Sequence, residues 1–312
     1  MRTDLINIGL IILSLCLAFV APFHLFLFAY AVLGPLHYLT EVQWLHRRKY
    51  FLNQPKQVLL LLACATLIFL AALGIPAFAS WGTPLVFLAF TSAFIFSFLQ
   101  KPIPQGLALI LCGGFAWFWK DSPVVIILFG VLLTTIIHVF VFTGMFMVYG
   151  ALKQRQFWGF VAVGVFISAA VISILGGFPP LYLPSELVQQ TYGHFQTLNI
   201  ELLRVLQLPL ENGTQGVFTS THGIAVMRFI AFAYTYHYLN WFSKTRVIGW
   251  SDMPKSRAFV IVLLWILLLS IYAYDYRLGF LSSLLLSIGH VFLEFPLNHQ
   301  TFTGIIKAIR IY

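Results

Sequence analysis

Uncharged apolar runs as long as a bilayer is thick recur from one end of this chain to the other, and they leave few folds open. Residues 57–74, 82–100, 122–150 and 157–177 contain no Asp, Glu, Lys or Arg at all. About 20 such residues make a helix that crosses the hydrocarbon layer. The chain is 60% hydrophobic and 9% charged, more apolar than any soluble core of this size requires. The fold class expected is therefore all-α, a polytopic integral membrane bundle forming one transmembrane domain over residues 1–312. Runs bounded by charge, proline or glycine place spans near 5–21, 24–45, 57–74, 82–100, 104–119, 122–150, 157–177, 221–243, 257–274 and 278–298, roughly ten in all.

Charge orients these spans. With the N-terminus inside, Arg2, Arg47, Arg48, Lys49, Lys56, Lys101, Lys153, Arg155, Lys244, Arg246, Lys255, Arg257, Lys307 and Arg310 fall on the cytoplasmic side. Only Lys120, Arg204 and Arg277 then face out, which is the asymmetry the positive-inside rule demands. Both termini are expected in the cytoplasm. The formal charge of +9 is explained by these loops, and no basic stretch has the length or placement of a nucleic-acid surface. Cys16, Cys64 and Cys112 all lie in apolar runs, which excludes a disulfide framework or a CxxC metal site. The opening MRTDLINIGLIILSLCLAFVA also fits a cleaved signal peptide, although a retained first span is the expectation. Residues 178–220 form the one sizeable extracytoplasmic connector. Within it Leu198, Leu202, Val205 and Leu206 mark an amphipathic helix lying on the membrane surface.

The few polar groups inside the spans carry the chemistry. Glu41 and Glu294 are the acidic residues expected within spans, and each follows a histidine by four positions: His37 in GPLHYLTE and His290 in GHVFLEF. Residues four apart share a helix face, so each pair directs two ligands to one place. His138 in TTIIHVFVFTG and His237 in AYTYHYLNWF fall on two further spans, in the same cytoplasmic half. A lone histidine in an apolar span is ordinarily a packing residue, and a His/Glu turn can neutralise itself locally. Four histidines and two carboxylates at similar depth are better explained by a shared cation or a proton path, because burying so many ionisable groups is costly. His37, Glu41, His138, His237, His290 and Glu294 are accordingly the candidate metal ligands, with Glu41 and Glu294 also candidate catalytic groups. Imidazole and carboxylate without thiolate suit iron, manganese or zinc. Redox work on a greasy substrate favours Fe(II), as one ion or two.

Tyr234, Tyr236, Tyr238, Asn240, Trp241 and Asn298 are expected to support the ligands or line a cavity, though aromatic residues near a membrane face also form interfacial belts. His222 and Arg228 form a weaker feature near the outer end of the eighth span. His46 and His299 are expected at the solvated cytoplasmic boundary, and His24 and His194 at an interface.

The succession GPLHYLTE, IIHVFVFTG, YTYHYLNWF and GHVFLEFPLNH resembles that of the bacteriorhodopsin-related-protein family, bacterial membrane β-carotene dioxygenases that make retinal. The likeness covers these short stretches alone. It implies a helical bundle in the bacterial inner membrane that holds one iron by histidines beside a hydrophobic tunnel for a polyene. His37, His138 and His237 then correspond to iron ligands. The family's third motif has two histidines four apart, and here Trp241 stands at the second place. His290 would supply the missing ligand, or Glu41 and Glu294 would complete a different, two-metal centre.

The leading expectation is an iron-dependent oxygenase or related redox enzyme acting on a lipophilic, carotenoid-like substrate among membrane lipids, with no nucleic-acid partner. The alternative is a proton- or cation-coupled transporter using the same His/Glu cluster. Against it, the chain shows no internal repeat. A third reading is an assembly factor whose polar residues only join helices.

Overall fold

A computed structural model of the chain describes residues 2–78, 80–177, 181–244, 249 and 253–310. Arg246, expected in a basic loop, and Asp252, expected outside the spans, lie outside the described residues. Every regular element among those described is a helix. In chain order the longer ones are α1 (Arg2–Val20), α2 (Pro22–Arg47), α3 (Pro55–Ala72), α4 (Gly82–Phe98), α5 (Pro102–Phe118), α6 (Pro123–Gln154) and α7 (Phe157–Leu175). They continue as α8 (Glu186–Tyr192), α9 (Gln196–Val205), α10 (Thr221–Ser243), α11 (Lys255–Tyr274) and α12 (Tyr276–Ile309).

Local chemistry sets the breaks between them. Pro22, Pro55, Pro102 and Pro123 each begin a helix, where a missing N–H costs nothing. Asp275 caps α12 by accepting from the Leu278 amide at 2.7 Å, and Ser220 caps α10 by accepting from the Gly223 amide at 3.0 Å. α12 runs through Pro296 and extends well past the end expected for the last span.

Among the described residues seven helices, α1, α2, α3, α6, α7, α11 and α12, are long and apolar enough to cross a membrane. An eighth results if the turn Gly213–Thr219 and α10, bent by 65°, form one broken span. The expected count of about ten falls to these because α4 and α5 have 17 residues each, and at ~1.5 Å per residue that is about 26 Å, short of a ~30 Å hydrocarbon core.

The helices form two compact units. The first comprises residues 1–37 and 135–255, so it takes the start of α2 and most of α6. Its axis is α10, buried along nearly its whole length and packed by α1, α7, the first half of α2 and the connector helix α9. Phe166 of α7 packs against Phe140 of α6 at 4.6 Å between ring centroids and against Tyr236 of α10 at 5.2 Å. The α6 and α7 ends also meet closely, since a Cβ placed on Gly159 would lie 2.9 Å from that of Ala151. The second unit comprises residues 38–134 and 256–312. There α12 packs on α3 and α4, and α5 on α4. Phe90 of α4 meets Phe295 edge-on at 5.1 Å and accepts a hydrogen bond from His299 Nε2 at 3.0 Å.

In the connector, α9 turns Leu198, Asn199, Leu202 and Leu203 onto α10 and leaves Val205 and Leu206 exposed. The face expected from the sequence is thus divided: its first half is a packing surface, and the rest projects outward where the helix ends. Tyr192 of α8 donates to Asn199, and burial pushes its phenol pKa up, so it stays a neutral donor.

Close approach at Gly159 is specific to that residue, because Gly164 on the same helix has open space around it. Gly159→Val is expected to destabilise the protein by about 1–3 kcal/mol through overpacking, and Gly164→Val to be near neutral. Thermal unfolding of the two variants in detergent makes the comparison.

Candidate metal centre

Three elements of the first unit deliver histidines to one place. In α2 a turn of wide, i→i+5 hydrogen-bonded helix, Ala29–Leu33, precedes His37. In α6 the same wide winding runs from Ile126 to Phe142 and carries His138. Such windings are rare and tend to occur at functional sites, since they rotate the residues beyond them away from the α-helical register. His237 comes from the buried face of α10.

His37, His138 and His237 are 1%, 2% and 7% exposed, and one ring nitrogen from each lies within 4.8 Å of the other two. His37 Nε2 and His237 Nε2 are 3.1 Å apart, with ring planes at 76°. The His138 and His237 rings sit at 4.9 Å and 65°. Two nitrogens bound to one ion at about 2.1 Å and roughly at right angles stand about 3 Å apart, so the donor pair fits a common metal. Thr143 Oγ1 engages His237 Nδ1 at 2.7 Å. With Nδ1 committed there, Nε2 is the nitrogen turned toward His37, which is how a metal-binding imidazole is usually oriented. Tyr238 and Trp241 pack on His37 at 5.2 and 5.5 Å. Trp241 is therefore a ring packed against His37.

Glu41, His290 and Glu294 belong to the second unit and are 3%, 2% and 3% exposed. Glu41 follows His37 by one turn of α2, and Glu294 follows His290 by one turn of α12. One ligand atom of Glu41 lies within 4.8 Å of one of His290. The His290 ring stacks on Tyr38 at 4.2 Å, which holds its plane. Asn298, another turn along α12, is buried and its amide oxygen and nitrogen make no hydrogen bond in the structure.

The other expected residues are dispersed. Tyr236 donates to Met147 Sδ at 3.4 Å, and Tyr234 packs edge-on against Phe26 at 5.0 Å. Asn240 is buried. Arg228 donates to the Gly176 carbonyl at 3.0 Å and lies over Phe19 at 4.5 Å, so it ties α7 and α1 to α10. His222 keeps its place at the start of α10. His24, His46 and His194 are exposed, and His46 meets the Tyr50 hydroxyl at 3.3 Å. His299 is not solvated as expected: its bond to Phe90 and its place between Phe90 and Phe94 bury it.

Thr143 and Tyr38 were not singled out from the sequence. Thr143 lies five residues after His138, off the α-helical spacing, and its signal is the wide winding, in which five residues make about one turn. Tyr38 is marked only by adjoining His37. No protein-family model, curated protein or solved structure matches this chain.

Because Thr143 holds an imidazole without reaching the ligand position, Thr143→Val is expected to weaken metal binding by about 10–100-fold while leaving it measurable. Competition against a chelator of known affinity reads the change.

Proposed function

We propose that the chain is an integral-membrane enzyme that holds Fe(II) through His37, His138 and His237 and carries out an O₂-dependent oxygenation of a lipophilic substrate. The observation that carries this reading is the convergence of three buried imidazoles, with a 3.1 Å Nε2–Nε2 approach, inside helices long and apolar enough for a bilayer. Three imidazoles and no thiolate suit iron, copper, nickel or zinc, and three protein ligands leave positions open for reactants. Iron is preferred because the order of histidine motifs resembles that of the bacteriorhodopsin-related-protein family, and carotenoid-type polyenes are the substrate class on the same ground. We place both termini and most basic loops on the cytoplasmic side of a bacterial inner membrane, with α10 as an additional span.

Bound iron supplies the redox chemistry toward O₂ that amino-acid side chains lack. Where Thr143 Oγ1 accepts from His237 Nδ1–H, Nε2 keeps its lone pair for a metal. Tyr238 and Trp241 wall His37 with aromatic surface, which limits water at the ligand nitrogens and offers a polyene a face to pack on. The lipid phase delivers the substrate directly, so no aqueous cleft is required.

Elemental analysis of detergent-purified protein tests the centre. Wild type is expected to carry stoichiometric iron that falls away in His237→Ala, and the iron-loaded protein to consume O₂ when supplied with carotenoid. Wild-type protein that binds no metal even after reconstitution overturns the reading. Coupled transport of protons or cations then becomes the reading to test, by ion flux in liposomes.

A further inference from the structure

We infer that the α2–α3 loop, the α4–α5 loop and the last turns of α12 form one surface of the second unit that binds the headgroup of an anionic phospholipid. It rests on the membrane-spanning part of the reading above and not on the metal centre. Arg47, Arg48, Lys49 and Lys56 lie in or beside the first loop, Lys101 in the second and Lys307 near the end of α12, all of them exposed. No acidic residue occurs between Glu41 and Asp121, nor between Glu294 and Tyr312, so these segments supply no carboxylate to offset the charge.

Hydrogen bonds tie the segments together. Asn53 Nδ2 of the α2–α3 loop donates to Gln100 Oε1 of the α4–α5 loop at 2.9 Å, which brings Lys101 to the first loop. Gln300 Nε2 of α12 donates to the Phe51 carbonyl at 3.2 Å. Lys307 follows Gln300 by seven residues, on the same face of α12 and about 10 Å farther along its axis. The first loop is itself constrained, since Lys49, Tyr50 and Phe51 have φ of 52°, 53° and 56°, a left-handed turn that residues with a Cβ rarely adopt in succession. Burial of Leu52 and contact of the Phe51 ring with Trp44 at 5.7 Å hold this turn, which fixes the chain direction at Arg48 and Lys49. Membrane topology requires only that basic loops share a side; it requires neither their joining nor so costly a turn.

The surroundings select a lipid over a free anion or a soluble acidic partner. Each basic segment borders exposed apolar side chains: Leu59 lies three residues after Lys56, Ile103 two after Lys101, and Ile306 next to Lys307. A phospholipid presents the matching pair, with charge on its headgroup and acyl chains beside it. Trp44 and Tyr50 add amphipathic rings of the kind that settle at headgroup level. Each Lys or Arg near the membrane surface strengthens attraction to anionic lipid roughly five-fold.

Full-length protein in neutral detergent, titrated with phosphatidylglycerol or with phosphatidylcholine of the same acyl chains, is read by native mass spectrometry for bound lipid. Wild type is expected to prefer phosphatidylglycerol, and Arg48→Gln/Lys49→Gln/Lys101→Gln to bind it about 100-fold more weakly, with unfolding temperature and metal content unchanged. Lys153→Gln, which removes an exposed cation of the first unit, is expected to keep the preference. Asn53→Ala keeps every charge but unties the two loops, and is expected to lose part of the preference. Equal affinity for the two lipids, or a preference kept in the triple variant, overturns the proposal. A preference lost in the triple variant and untouched in Asn53→Ala overturns the joined surface in favour of diffuse attraction to basic loops. Displacement of the lipid by millimolar inorganic phosphate at constant ionic strength overturns the choice of a lipid over a free anion.

Discussion

Burial of α10 on every side is the constraint from which the first unit follows. A helix packed all round by α1, α2, α7 and α9 has no face to turn toward water, so each polar group it carries must be answered from within the protein. Arg228 finds the terminal carbonyl region of α7 and the Phe19 ring, Tyr236 finds Met147, and His237 finds Thr143 and His37. These contacts select how neighbouring helices sit along α10. The histidine group is one outcome of that selection: His237 is held in place by a hydroxyl from α6, whose wide winding also carries His138.

The wide windings in α2 and α6 explain why the group forms where it does. An i→i+5 turn changes which side of a helix later residues occupy, and both turns lie upstream of or around a histidine. Backbone geometry of this kind is less favourable than an α-helix and persists where surrounding packing sustains it. Here that packing is aromatic, with Phe26 and Tyr30 on α2 meeting Phe195 and Tyr234, and Phe140 on α6 meeting Phe166 and Phe229.

Much of the helical layout was legible in the sequence because apolar runs bounded by proline and charge mark helix ends directly. The 17-residue lengths of α4 and α5 show where that signal misleads, since apolar composition reports preference for lipid and not reach across it. The His/Glu pairs were legible because four-residue spacing is a property of the α-helix itself. Thr143 was hidden for the opposite reason: its relation to the histidines depends on a winding that α-helical spacing does not describe. His299 was misplaced because proximity to a chain end suggested water, whereas α12 continues past it and Phe90 and Phe94 close over the ring.

Trp241 shows how the two polar groups differ in kind. On α10 an indole stands against His37, and indole is a donor with no lone pair for a metal. The first unit therefore offers three imidazoles beside aromatic surface, neutral donors that would leave the charge of a bound ion uncompensated. In the second unit Glu41 lies close to His290, and Glu294 follows His290 by one turn of α12. The two groups therefore differ in charge, with imidazoles alone in one and a carboxylate beside an imidazole in the other. Since α2 carries both His37 and Glu41, one turn apart, its seating governs the supply of ligands to both groups.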